Sequence, residues 1–279
     1  MNKVIVFGAS GFVGQTFVRI LDKENCEYIA HSSKTIDLTS PDSVEKIATT
    51  TKDGDAIIML SALTPGKDES DRIAVNNLLM IRNIISGIKD RNIARFIYIS
   101  SDAVYPLTSD IIDEETIPKP MNLYGYSHLI REKFLEEYIS PEKLAILRPC
   151  AIYGKNDTHN AYGIMRFIRS AQESGDISLF GGGEEYRDHI HVDDLADIIF
   201  ASYKQKTTGI FNVATGKSFR FIEIAELIKS SIDKEITISF KPRAVPIFHR
   251  HVNMCKLWAN FPSHKPRLID AGIMELLER

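Results

Sequence analysis

Three glycines, Gly8, Gly11 and Gly14, form the first feature of the chain that could do chemistry. They sit in Gly8-Ala9-Ser10-Gly11-Phe12-Val13-Gly14, directly after the apolar run Lys3–Phe7. Glycine at the first position permits a tight turn out of a strand. At the second it lets a pyrophosphate approach the backbone, and at the third it lets the next helix pack closely on the sheet. The N–H groups and partial positive charge at that helix's N-terminus then attract the anion. The G-x-x-G-x-x-G spacing is one residue longer between the first two glycines than the G-x-G-x-x-G fingerprint. Its place between a first strand and a first helix nevertheless predicts a dinucleotide cradle, with Ser10, Phe12 and Val13 counted beside the glycines as cofactor-binding.

A second strand should end in a carboxylate where NAD is bound through its ribose 2′-hydroxyl. Here the run ends Ala30-His31-Ser32-Ser33-Lys34. The hydroxyls of Ser32 and Ser33 and the cation of Lys34 suit a 2′-phosphate, so NADP(H) is expected ahead of NAD(H). Asp37 and Leu38 follow in a loop that could serve the adenine. His249, His251, Cys255 and His264 are of metal-ligating types, but their spacing matches no compact site and no metal is expected. Phe248, Trp258 and Phe261 read as packing.

Elements must hold these residues in place. Lys3–Phe7, Glu27–Ala30, Asp55–Leu60, Arg95–Ser100 and Leu144–Pro149 are short runs, the middle ones apolar nearly throughout. Such runs suit strands of a parallel sheet covered on both faces. Helical periodicity fills Phe12–Asp22, Asp42–Thr50, Ser70–Lys89 and Leu123–Tyr138 between them. The alternation predicts an α/β fold, a Rossmann-type doubly wound parallel sheet. Residues 1–150 are expected to form the NAD(P)-binding domain. Residues 151–279 are expected to be mainly a smaller substrate lobe, interleaved with late elements of the sheet. In that part Gly163–Ser174 and Asp193–Lys204 read as helices and Gly209–Ala214 as a strand. Ser218 is expected to cap a helix running to about Ile232, Ile236–Phe240 reads as a strand, and a proline-punctuated loop follows.

Further strings add to the glycine loop: Ser61-Ala62, Val75-Asn76, Ser100-Ser101-Asp102-Ala103-Val104-Tyr105 and Pro120 through Tyr124 to His128. Leu147–Gly154, Arg187–Asp194 and Phe211–Gly216 continue the series. In their order and spacing the chain resembles the extended short-chain dehydrogenase/reductases, the nucleotide-sugar epimerase/dehydratase/reductase group, from end to end. That resemblance implies a serine, a tyrosine and a lysine as the catalytic set. Ser101 matches the serine and Tyr124 the tyrosine, but His128 stands where the lysine is expected. It also implies cofactor contacts at Ser61, Ala62, Asn76, Tyr124 and His128. Arg187, and more weakly Asn160, would contact the substrate's phosphates. Asp188, Asp193 and Asp194 are expected to order that loop and cap its helix.

Positions i and i+4 share a helix face, so His128 can sit beside Tyr124. Its ordinary pKa of about 6.5 leaves it mostly neutral at pH 7. It is a working substitute that tunes Tyr124 when protonated, the mark of an impaired or non-enzymatic dinucleotide-binding protein, or a residue not native here. The expected activity is NADPH-dependent reduction of a 4-keto deoxysugar nucleotide. An NAD-dependent nucleotide-sugar epimerase is the alternative, and dehydration is disfavoured because Asp102-Ala103 replaces an Asp-Glu pair. The resemblance also makes a homodimer an expectation.

The 279 residues are 44% hydrophobic and 25% charged with a net charge of −3, which excludes disorder and gives no nucleic-acid footprint. No apolar run nears the roughly 20 residues of a membrane span. Three scattered cysteines and an N-terminus without a signal-peptide pattern read as cytoplasmic.

Overall fold

A computed structural model describes residues 3–64, 70–108, 111–157, 163–243 and 246–278. Its first half runs β1 (Val4–Phe7), α1 (Phe12–Lys23), β2 (Tyr28–His31), α2 (Ser43–Thr50), β3 (Ala56–Met59), α3 (Ser70–Ile88) and β4 (Arg95–Ile99). A short β5 (Ile111–Ile112), α4 (Leu123–Tyr138) and β6 (Leu144–Pro149) follow. The rest comprises β7 (Ala151–Tyr153), α5 (Ile164–Ser174), β8 (Asp176–Phe180), β9 (Tyr186–Arg187), β10 (His189–His191) and α6 (Val192–Gln205). Then come β11 (Gly209–Val213), β12 (Phe219–Arg220), α7 (Phe221–Ser231), β13 (Thr237–Lys241), β14 (His251–Val252), α8 (Cys255–Asn260) and α9 (Ile269–Leu277).

The chain divides into two compact units. One comprises Met1–Pro106, Glu114–Pro149 and Leu195–Phe211; the other comprises Leu107–Asp113, Cys150–Asp194 and Asn212–Arg279. The first is built on a six-stranded sheet in the order β11-β6-β4-β3-β1-β2, with β2, β1, β3, β4 and β6 paired in parallel. Every residue of β1, β3, β4 and β6 is buried, as apolar strands covered on both faces must be. The sheet ends at β2, of whose residues only His31 is buried. From there Ile36 and Leu38 turn into the core, and the next strand, β3, pairs on the other side of β1. The strand order therefore reverses at β1 and β3, the place where open α/β sheets form a ligand crevice at their carboxyl ends.

In the second unit β8 and β13 pair in parallel, and α5, α7 and α9 contribute to an apolar cluster around them. Two expectations need correction. Arg220, not Ser218, is the N-cap of α7, and Glu223 accepts from its backbone N–H; the Ser218 hydroxyl instead donates to the Arg250 carbonyl. The proline-rich tail also contains α8 and α9, short helices whose buried Leu257, Ile269 and Ile273 anchor them.

Candidate functional site

Gly8 has φ +90°, and a Cβ there would lie 2.7 Å from the Ser61 backbone nitrogen. Only glycine meets both the left-handed turn and that approach. A Cβ on Gly14 would lie 2.0 Å from the Gly8 carbonyl oxygen, so α1 packs against the turn itself. Gly8 and Ala9 donate backbone N–H bonds to the His31 carbonyl at 3.0 Å, tying the loop to the end of β2. Gly11 is the N-cap of α1, which has no side-chain cap and no acidic residue in its first turn. The loop thus keeps its helix N-terminus uncovered by carboxylates, and it fits a pyrophosphate.

At the end of β2, the turn Ser32–Thr35 is closed by Thr35, whose hydroxyl accepts from the Ser32 N–H and donates to its carbonyl. Ser33 and Lys34 are exposed there. Asp37 accepts from the Thr39 N–H and hydroxyl, while Leu38 sends its side chain into the core and its carbonyl accepts from Asn83. Past β3, Leu63 is held through both its N–H and carbonyl by buried Asn77, at 2.9 and 3.0 Å.

Ser101 caps the short helical turn Asp102–Val104, accepting from the Ala103 N–H at 3.1 Å. Asn122 caps α4 by accepting from Gly125 at 2.9 Å. A Cβ on Gly125 would lie 2.3 Å from the Ala103 carbonyl oxygen, so glycine lets the start of α4 press on that turn. This brings the start of α4, with Tyr124, against the turn that Ser101 caps. Burial raises the Tyr124 pKa above its ordinary value; Arg131 opposes the rise, Asp102 adds to it and the Ser101 bond opposes it.

Polar residues fill the buried face of α4: Ser127, His128, Arg131 and Glu132. Glu132 accepts from the Ser100 hydroxyl at 2.5 Å and from Arg148 at 3.0 and 2.6 Å. Arg148 also donates to the Tyr105 hydroxyl at 2.8 Å. Burial alone would lower the Arg148 pKa, but its bonds and charge pairing with Glu132 outweigh that and raise it. This buried bridge locks β6, α4 and the Ser100–Ser101 corner together. His128 lies edge-on to Tyr124 with ring centroids 4.6 Å apart, and its Nδ1 is 2.6 Å from the Tyr98 hydroxyl. Its Nε2 has no partner. Burial first, and Arg131 second, hold its pKa well below the ordinary imidazole value. The downward shift accords with the mostly neutral ring expected at pH 7 and disfavours the reading in which a protonated His128 tunes Tyr124.

In the second unit Asp188 is fully buried and ties the strip Thr215–Gly216 to its own strand region. It accepts from the Thr215 N–H at 3.0 Å and hydroxyl at 2.6 Å, and from the Gly216 N–H at 2.7 Å. Burial pushes its pKa up to about 6 against these bonds. Arg187 beside it donates to the Tyr186 and Phe248 carbonyls. Asp194 pairs with Arg267, which also bonds Glu275. His191, Asp193 and Glu275 offer ligand atoms within 4.8 Å of one another, with Arg267 already bonded to Glu275. His249 accepts from the Tyr186 N–H and His251 lies 3.1 Å from the Ser218 hydroxyl, so both have structural partners.

The model for the "NAD dependent epimerase/dehydratase family" matches residues 4–214. The chain belongs to that family. A GDP-L-fucose synthase of Sinorhizobium fredii is 26% identical over 248 residues, covering 81% of this chain and 79% of the relative. The crystal structure of Thermus thermophilus UDP-glucose 4-epimerase with NAD is similar at a TM-score of 0.87 and 20% identity, covering 99% of this chain and 98% of that one. The structure of RMD from Pseudomonas aeruginosa complexed with NADPH has a TM-score of 0.85 at 23% identity, covering 99% and 98%.

Within this epimerase/dehydratase chain, the residues singled out from the sequence fall into two groups. Gly8 to Gly14, Ser32, Ser61, Ala62, Ser101, Tyr124 and His128 all belong to the sheet-based unit, on the loops and helix starts that follow its parallel strands. Arg187 belongs to the other unit, and Asn160 lies outside the described residues. Asn76 is half-buried, and it is its neighbour Asn77 that secures the loop after β3. Asn77, Tyr98, Arg131, Glu132 and Arg148 escape sequence reasoning. A charged pair on the inward face of an otherwise packed helix, Arg131-Glu132, is the signal that could have found two of them.

Among the described residues, no helix is long and apolar enough to cross a membrane.

Proposed function

We propose that the protein is an NADPH-dependent reductase of a 4-keto deoxysugar nucleotide. The observation that carries this reading is the juxtaposition of the Ser101 turn with the start of α4, where Gly125 presses on the Ala103 carbonyl, with burial keeping the proton on Tyr124. A phenol held protonated is suited to giving a proton to an oxygen that gains negative charge. Ser101 polarises that oxygen and orients the phenol. Gly8, Ser10, Gly11, Phe12, Val13 and Gly14 would hold the pyrophosphate, Ser32, Ser33 and Lys34 the 2′-phosphate, and Asp37 and Leu38 the adenine end. Ser61, Ala62, Asn76 and His128 would serve the nicotinamide ribose side. Bound NADPH supplies hydride to the keto carbon.

A GDP-L-fucose synthase among the relatives supports nucleotide-sugar chemistry, and neighbours solved with NAD and with NADPH support a nicotinamide dinucleotide, the 2′-phosphate reading resting on Ser32, Ser33 and Lys34. Arg187 is assigned to the substrate's diphosphate, and a cytoplasmic location accords with three cysteine thiols. The test is a panel of GDP-, UDP- and dTDP-linked 4-keto-6-deoxyhexoses with NADPH or NADH, read by coenzyme absorbance and product mass. Reduced product with the parent protein, and none with Tyr124→Phe despite intact NADPH binding, supports the reading. Interconversion of 4-hydroxy sugars without net coenzyme oxidation would establish an epimerase instead.

A further inference from the structure

Arg131 is among the largest fully buried side chains of the protein. Its Nη2 donates to the Ser61 carbonyl at 2.6 Å and lies 3.7 Å from the Met59 sulfur, while Nε and Nη1 have no partner. Among the described residues no carboxylate pairs with it. Adjacent Glu132 is engaged by Arg148 and Ser100. A buried guanidinium without a counter-charge is costly, and folding gains little from it. Its surroundings show what the charge can act on. The guanidinium carbon stands 5.1 Å from the centre of the Tyr98 ring, and the Tyr98 hydroxyl meets His128, which in turn lies against Tyr124.

We propose that Arg131 is a positioning residue for Tyr124: its unpaired guanidinium stabilises the phenolate that Tyr124 becomes when it gives up its proton. This rests on the reading of Tyr124 as the proton donor. The phenolic proton passes to the substrate's carbonyl oxygen as the carbonyl carbon takes up hydride from the reduced nicotinamide coenzyme. Water then returns a proton to Tyr124. The charged and titratable groups around Tyr124 are Asp102 on the preceding turn, Tyr98 on β4, and His128 and Arg131 on its own helix. Asp102 disfavours the phenolate, and Arg131 favours it. Tyr98 is itself held protonated by burial, and its hydroxyl shares a hydrogen bond with Nδ1 of His128, whose Nε2 is left without a partner. The imidazole is neutral, and an arginine one helical turn further on supplies the charge.

A fluorinated tyrosine placed at position 124 reports its ionisation by fluorine NMR, separately from the chain's other tyrosines, in protein free of coenzyme and sugar. Arg131→Gln retains a donor for the Ser61 carbonyl without the charge, Arg131→Lys retains the charge, and His128→Lys in the Arg131→Gln background restores a charge nearby. The expected result is an upward move of the titration by about one pH unit or more in Arg131→Gln, a tenfold loss of phenolate at a given alkaline pH. Arg131→Lys and the double variant should return it close to the parent. Arg131→Met replaces Arg131→Gln in the comparison if the latter does not fold. An unmoved titration in a folded neutral variant overturns the proposal, and so does a lysine variant displaced as far as the glutamine one. No substrate is needed, so this outcome is independent of whether the sugar panel reveals a reductase.

Discussion

Glu132→Gln strands a buried charge. In the parent protein Glu132 Oε2 accepts from Arg148 at 2.6 Å, Oε1 accepts from Arg148 at 3.0 Å and Ser100 at 2.5 Å, and the two side chains are 0% and 2% exposed. Glutamine keeps one acceptor oxygen but turns an amide NH2 toward the guanidinium, removing a bond and the charge partner together. Breaking one side of a buried pair costs about 3–5 kcal/mol. With a urea dependence of roughly 3 kcal/mol per molar for a chain of this size, the midpoint for the sheet-based unit should fall by about 1–1.7 M. The double variant Glu132→Leu with Arg148→Met removes both charges and should recover most of the loss, because apolar replacements of buried pairs are commonly neutral or stabilising. Urea unfolding followed by circular dichroism and by tryptic protection of peptides from each unit measures this, since two units need not unfold as one. A single-variant loss below about 1 kcal/mol, or a double variant no more stable than the single, refutes the assignment of Glu132 as the charge that holds Arg148.

Other outcomes are equally direct. Gly14→Ala places a methyl 2.0 Å from the Gly8 carbonyl and should weaken NADPH and NADH binding alike by at least tenfold, measured by coenzyme fluorescence; retained affinity would contradict the packing described. Ser32→Ala with Lys34→Ala should weaken NADPH more than NADH, and equal losses would remove the 2′-phosphate assignment. Asp188 has its pKa raised from 3.8 to about 6 by burial, so the folded chain holds a proton that the unfolded chain releases first. Its contribution therefore declines as pH rises from about 4 to 6 and is level above that, by about 3 kcal/mol in all. Asp188→Asn should lose this slope in thermal melts across that window; an identical slope in both proteins would exclude Asp188 as its source.

Apolar pattern carried the sheet. The run Leu144–Pro149 and the helix Leu123–Tyr138 fall where the sequence places them, since buried strands and capped helices announce themselves locally. The glycine loop was equally legible, because Gly8 and Gly14 each answer a steric demand that no other residue meets. The interior of the site was not. Hydrophobic periodicity looks for an apolar inward face, and the inward face of α4 carries Ser127, His128, Arg131 and Glu132. Arg148 sits in the middle of a buried strand, where its partner is 16 positions away in sequence and invisible to any local pattern. Ser218 failed as a cap for a related reason: its hydroxyl is engaged by Arg250, 32 positions on.

The ending of the sheet at β2 has a consequence for how the family member could diversify. Among the described residues no further strand covers that edge of the sheet, and the chain returns through Ile36 and Leu38 with Asn83 fastening the Leu38 and Ser40 carbonyls. On the proposed reading, one short surface segment, residues 32–38, would meet the adenosine half of the coenzyme while its two apolar side chains remain core. Coenzyme choice is then a detachable property of the scaffold. Exchanging half-buried Ser32 and the exposed residues at 33, 34 and 37, with Ile36, Leu38 and Asn83 left in place, would alter the recognised dinucleotide without touching the turn of Ser101 or the start of α4.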